Sequence, residues 1–504
     1  MKYSYLALFL YLFLVSSPAL CIEPLDYRED LTIEEKLKAY KVMLPTTDFS
    51  KAEKYEAMSM GEGTSKANIN RNSFSRPSEN LSFEGKSDFA VGNGLFKKLW
   101  VSSPSSTLAS DGLGPLFNSR SCQSCHIKDG RGHPPDIQNA KGSSMVFQLS
   151  LEPQSLGKQS LNEEVFIEIP DPIYGHQLQD FAVPGLEAEG QIKVSYTNVE
   201  IKMNGGEIVN LRIPEYIISD LAYGDLNPNV RISARVAQQM IGLGLLEAIH
   251  PGDILALEDI TDSNGDGISG RASIIINSMT EKPDVGRFGW KASSPTLWIQ
   301  GAKAFANDIG ISNPVFTSPH GDCTTFQKTC LEKPDGIQMH LGKTEAPDPV
   351  MKLISWYSSN LAVPSRRKVN DFNILEGKKL FYNSGCTSCH TPKFVTQKVS
   401  MNDPHSFQLI WPYTDMLLHD MGEGLSDQTI EGEYLYTEWR TPPLWGIGLT
   451  KKVSGHTFFL HDGRARNLLE AIIWHGGEAE KSKNKVIAMS PVERKYLLAF
   501  LESL

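Results

Sequence analysis

Two short segments carry most of the chemistry that can be read from residue type and spacing. Cys122-Gln123-Ser124-Cys125-His126 and Cys386-Thr387-Ser388-Cys389-His390 are two copies of C-x-x-C-H. In this motif each thiol adds across a haem vinyl group and fixes the porphyrin covalently, and the following His is placed to bind iron from one face. Cys122, Cys125, Cys386 and Cys389 are therefore read as thioether anchors, and His126 and His390 as the proximal iron ligands of two covalently bound c-type haems. An all-thiolate zinc site would require pairs far apart in the chain to converge, and a thioredoxin-like pair would require a βαβ pattern that neither flank shows. Cys323 and Cys330 enclose a short polar loop and read as a disulfide, while Cys21 stands at the end of a leader.

A second group of oxygen donors stands at Asp262-Ser263-Asn264-Gly265-Asp266-Gly267. Asp262, Asn264 and Asp266 occupy positions one, three and five, with glycine at six, as in the opening of a calcium loop. Ser273 stands where an EF-hand would close with Glu, so a structural Ca2+ site and an Asx-rich turn both remain open readings.

The elements around the cysteine motifs follow from periodicity. Phe89–Trp100 (FAVGNGLFKKLW) and Asn373–Phe381 (NILEGKKLF) have helical spacing and carry G-x-x-L-F shortly before each C-x-x-C-H, a weak internal repeat. Between the motifs, Gln191–Ile201 and Ile208–Ile213 alternate apolar and polar residues around Asn204-Gly205-Gly206 and predict a β-hairpin. Ser233–Ile249 reads as a buried helix, and SPVERKYLLAFLESL as a closing helix. The fold expected is mainly α: two cytochrome c-like haem domains, 85–345 and 360–504, with a β-rich insert at about 141–285. Residues 21–84 are polar and read as an extension draped on the surface.

The 504 residues suit several units of ordinary domain size. Lys2, the apolar stretch Leu6–Val15 and the small residues before Cys21 form a signal peptide over residues 1–20, which directs the chain to the periplasm; Cys21 would tie it to a membrane only if lipidated. The net charge of -10, from 49 basic and 59 acidic residues, argues against a nucleic-acid partner.

The last part of the chain supplies a resemblance. RTPPLWG followed by FLHDGRARNLLEAI is similar to the C-terminal signature of bacterial dihaem cytochrome c peroxidases. GLGPLFNSRSCQSCHIKDGRGHPP, DSNGDGISGR, GRFGWKA, LLHDMG and HDGRARNLLEAIIWHGGEAE resemble the related dihaem oxidoreductases, over residues 85–504. The resemblance implies a peroxidase-like enzyme with an electron-storing C-terminal haem and an N-terminal haem that meets H2O2 or another small oxidant. Electrons would come from a small cytochrome or copper protein. It makes Trp290 the inter-haem relay and Asp308 the proton-transfer residue. For the sixth ligand of the second haem the candidates are Met421 and then His456, with His461, His419 and His475 read as hydrogen-bonded histidines. A dihaem electron carrier without catalysis and a haem-dependent oxygenase are the competing readings, and a ligand-accessible haem separates the first of these from an enzyme.

Overall fold

The computed structural model describes residues 24–135, 144–158, 164–400, 402–427 and 436–504. The leader and Cys21 lie outside the described residues. Two helix pairs flank the two motifs, and both are built by the same local rule. Helix α1 (Phe83–Lys97), capped by the Ser82 side chain, crosses α3 (Asp348–Ser359), with α2 (Leu297–Asn307) packed nearby. Helix α4 (Phe372–Asn383) crosses α6 (Pro491–Ser503), whose start is fixed by a capping box between Ser490 and Glu493; α5 (Leu468–Ile473) lies beside them.

Each crossing is as close as it is because a glycine sits there. A Cβ on Gly92 would lie 2.4 Å from the Leu353 carbonyl oxygen, and one on Gly377 would lie 2.0 Å from that of Tyr496. One turn later the same face carries Phe96 and Phe381. Phe96 packs on Tyr357 at 5.1 Å between ring centroids, and Phe381 packs on Phe500 at 5.1 Å. The repeated G-x-x-L-F is thus a packing rule: the glycine admits the partner helix and the phenylalanine buries its ring against it.

Between the pairs, β1 (Met145–Lys158) forms the centre of an antiparallel sheet, with β2 (Glu164–Ile169) on one side and β5 (Arg231–Val236) on the other. The hairpin expected around Asn204-Gly205-Gly206 is present as β3 (Gln191–Lys202) and β4 (Ile208–Ser219), in register from Gln191↔Ser219 to Lys202↔Ile208. Its tip docks on the C-terminal region, where Asn204 N–H donates to the Ile487 carbonyl and Arg494 pairs with Glu207 at 2.8 Å. Two further short strands, β6 (Leu418–Asp420) and β7 (Glu438–Arg440), pair with His419 opposite Trp439.

The expectation of a mainly α fold with two cytochrome c-like haem domains is corrected here. Helix accounts for 30% and strand for 17%, the strands lying in small sheets, so the fold is mixed. The physical reason is visible in Ser233–Ile249. Its helical period is broken where Ser233–Val236 pairs with β1 and where Gly242 turns with φ of 72°, leaving only the short helix Leu243–Glu247. Each helix pair has its own core cluster, and a further one joins Met60 and Phe74 to Ile241, Ile254, Phe394, Ile410 and Trp445. The N-terminal segment also departs from a surface-draped reading. Met60 and Phe74 are fully buried, and Glu56 is buried in ion pairs with Arg366 and Lys378. Cys323 and Cys330 form the expected disulfide.

Candidate functional site

The two motif histidines, expected to be proximal ligands, are held in the same way. His126 follows the helical turn Cys122–Cys125, and its Nδ1 lies 2.6 Å from the Gln238 carbonyl oxygen; His390 Nδ1 lies 2.9 Å from the Tyr413 carbonyl oxygen. A carbonyl can only accept, so Nδ1 carries the proton and the Nε2 lone pair is left for a metal. Burial pulls both imidazoles down to about 4, so they are neutral in ordinary buffers. Phe96 and Phe381 stand against them identically, each 6.2 Å from the imidazole and tilted 50°. Burial also pushes the thiols of Cys122, Cys125 and Cys386 up to about 12, which disfavours thiolate chemistry at these positions.

Cys386, Cys389 and His390 line an apolar cavity whose empty space, mouth included, is about 1800 Å³. Trp290, Met421 and His475 share its wall. His475 donates from Nδ1 to the Ala471 carbonyl at 2.7 Å, which again frees Nε2, and it lies close enough for its charge to depress His390. His456 is elsewhere: it lines a separate pocket with His133, whose ring centroid is 5.4 Å away, and its Nε2 is 3.0 Å from the Arg131 carbonyl. His419 has both ring nitrogens engaged, Nε2 with Asp415 at 2.8 Å and Nδ1 with Glu478 at 2.6 Å. Burial opposes charge there, yet the Asp415 carboxylate and the other neighbours hold the imidazole well above its ordinary pKa. Cys389, Asp415 and His419 are the one group of three such donors within 4.8 Å among the described residues, but a doubly bonded imidazolium offers no lone pair.

The cavity lined by Cys386, Cys389 and His390, here the second cavity because it adjoins the second motif, fits a haem on independent grounds. Its wall holds two guanidiniums, the half-buried Arg131 and the buried Arg440, which desolvation lowers to about 10 and which make no ion pair among the described residues. It also holds buried polar atoms that have no partner among the described residues, Gln238 Nε2 and His461 Nε2. Cations and orphaned polar atoms around an apolar space are what the edge carboxylates and flat face of a porphyrin would satisfy.

Asp308 belongs to the first motif. It stands at the C-terminal cap of α2, is half-buried, and accepts a hydrogen bond from Gln177 Nε2 at 2.8 Å. The same Gln177 nitrogen donates to Asn118 Oδ1 at 2.7 Å, and Asn118 Nδ2 donates to Asp180 at 2.9 Å. Burial pushes Asp308 and Asp180 up to about 6, against the pull of these amide bonds. The charge of Asp308 raises both Cys122 and Cys125, which places the acid beside the first motif. Trp290 is buried on the wall of the second cavity, donates from Nε1 to the Val236 carbonyl at 2.9 Å, and carries the Arg131 guanidinium 5.1 Å from its ring.

The Asp262–Gly267 loop is exposed, and Asp262, Asn264 and Asp266 each accept a bond from its own backbone. Asp262 accepts from Gly267 N–H at 3.1 Å, Asn264 from Asp266 N–H at 2.8 Å, and Asp266 from Ile268 N–H at 2.9 Å. This is the geometry of an Asx-rich turn.

A family model described as "di-haem oxidoreductase, putative peroxidase" matches residues 55–504. The chain belongs to this family. Membership carries two haems and oxidoreductase chemistry. No curated protein matches the chain at a significant level. The sequence reading named the two motif centres and Asp308, set aside His475, and did not name Arg131, Gln238, Arg440 or Gln177. The sequence signal at His475 is a histidine just past the LLEAII helix, immediately before Gly476-Gly477.

Proposed function

We propose that this member of the family is an exported c-type dihaem oxidoreductase that reduces H2O2 or another small oxidant, using electrons from a small cytochrome or copper protein. The cysteines of both motifs take thioether bonds, and His126 and His390 bind iron through Nε2. The observation that carries the reading is the matched pair of Nδ1 bonds to main-chain carbonyls, which prepares two neutral imidazoles for metal beside two C-x-x-C pairs. At the second centre His475 is preferred to Met421 as sixth ligand, because its tautomer is already set and it interacts electrostatically with His390. This makes the second centre the electron store and leaves the first, beside Asp308, for the oxidant.

The haems, when bound, supply electron uptake and O–O bond cleavage. The chain's own residues do the rest. Asp308 takes a proton at its carboxylate and returns it, a role suited to a pKa of about 6. Gln177 holds that carboxylate in place. Trp290 offers a route for one electron, since its indole joins the second cavity to the segment that holds His126.

The test is an optical reductive titration of protein matured in a periplasm, with H2O2 added at the one-electron-reduced stage. Two covalent haems reducing in separate steps, with rapid reoxidation by peroxide, are expected. Two low-spin haems inert to peroxide would instead make the protein an electron carrier, and absence of covalent haem would overturn the reading altogether.

A further inference from the structure

We propose that Gln238 and Arg440 couple the two haem centres, with Gln238 as a positioning residue that fixes the first proximal imidazole through its main chain and contacts the second cavity through its side chain. This rests on the dihaem reading above.

The segment that follows β5 is pinned from several directions. Val236 N–H donates to the His461 carbonyl at 2.7 Å, the Val236 carbonyl accepts from Trp290, and Gln239 Nε2 donates to the Trp445 carbonyl at 2.7 Å. Within it, the Gln238 carbonyl takes the His126 Nδ1 proton at 2.6 Å. The Gln238 side chain points the other way in function. Its Oε1 accepts from Arg440 Nη2 at 2.9 Å, and its Nε2 is buried, with no partner among the described residues, on the wall of the cavity that holds Cys386 and His390.

Arg440 is equally fixed. Nε donates to the Gly289 carbonyl at 3.1 Å, Nη1 to the Thr441 carbonyl at 3.1 Å, and its main-chain N–H to the Trp290 carbonyl at 3.0 Å. It makes no ion pair among the described residues, so its charge acts on whatever fills the cavity. One residue therefore spans both centres by two hydrogen bonds.

A change of charge in the second cavity alters the pull on Arg440 and on the free Gln238 amide. Any movement of Gln238 changes the bond to His126, and that bond sets the basicity of the first proximal imidazole and hence the potential of its metal. The second centre has no such strap. The carbonyl that holds His390 belongs to Tyr413, whose side chain packs on Phe381 and Phe500 and reaches Arg366 at 3.4 Å, inside its own helix pair. Coupling of this kind is reciprocal, so either centre reports it.

The experiment is a spectroelectrochemical titration of wild-type holoprotein and of Gln238→Leu, which keeps the main-chain carbonyl and removes the side-chain link. In wild type, reduction of one centre should change the other's reduction equilibrium by about tenfold, ~59 mV for one electron. Gln238→Leu should lose most of that mutual shift while keeping two covalent haems by intact mass. Gln238→Glu, which can still accept from Arg440, should keep it. If Gln238→Leu does not fold, Arg440→Gln cuts the same link and should give the same loss. Independent potentials in a wild-type protein holding two haems, or an unchanged mutual shift in the cut variants, would overturn the coupling alone. Wild-type protein without two haems would overturn the dihaem reading and the coupling with it.

Discussion

The first and second C-x-x-C-H centres share a scaffold and part company in their neighbours. Each has a glycine-mediated helix crossing, a phenylalanine 6.2 Å from the proximal imidazole, and an Nδ1 proton given to a carbonyl. Around the first lie Asp308, Gln177, Asn118 and Asp180, two half-buried acids bridged by amides. Around the second lie an apolar wall, two guanidiniums without an ion pair among the described residues, and a further imidazole, His475, whose Nδ1 is taken by the Ala471 carbonyl. On the proposed function, a repeated ligand arrangement is turned toward proton chemistry at one centre and electron storage at the other by residues that the repeat does not contain. The shorter proximal bond, 2.6 Å against 2.9 Å, adds to this by making the first imidazole the more basic donor.

The largest effect expected from breaking this asymmetry is at Asp308. Asp308→Asn should lower peroxide turnover by about 10²–10⁴-fold while both haems remain, as steady-state kinetics and intact mass would show. In wild type the base form is needed, so kcat/KM should rise with pH to a plateau above about pH 6, and the variant should lose that limb. Stability should move the opposite way. The folded carboxyl holds its proton up to about 6 against a usual 3.8, so its contribution is fully present below the lower value and lost as pH rises through the upper. Asp308→Asn should therefore stabilise the protein above pH 6, by on the order of 2–3 kcal/mol in chemical unfolding.

Next in size is His475→Ala, which should open the second centre to ligands and shift its ferric spectrum from low-spin toward high-spin. Met421→Ala should not. A reversed outcome would exchange the two residues and remove one leg of the comparison.

The shared scaffold is tested by Gly92→Ala and Gly377→Ala. Each should cost about 1–3 kcal/mol of stability by overpacking, read from unfolding midpoints, with Gly377 the more sensitive because its neighbour is closer. The smallest effect is expected for Gln177→Leu. Removing a bond that favours the ionised carboxylate should raise the inflexion of the pH profile by about one unit or less, from the worth of one hydrogen bond.

Legibility in the sequence followed the range of the interactions. The two C-x-x-C-H motifs, the hairpin turn and the helices before each motif are encoded locally and were readable from spacing. Asp308 could be placed near the first motif only by resemblance, and its Gln177 clamp comes from a loop between strands, far away in the chain. His475 looked like any helix-end histidine until the fold brought it beside His390. The mainly α expectation failed because the helices around the motifs have strong periods, whereas the many two-stranded pairs depend on partners that no local window contains. The polar N-terminal segment hid its burial for a related reason: ion pairs such as those of Glu56 with Arg366 and Lys378 leave no apolar period to detect.

The division of labour between the centres is tested most directly by the stoichiometry of CO binding to the fully reduced holoprotein. The account predicts one CO per chain in wild type, at the first centre, and two in His475→Ala. Two in the wild type, or none, would contradict it.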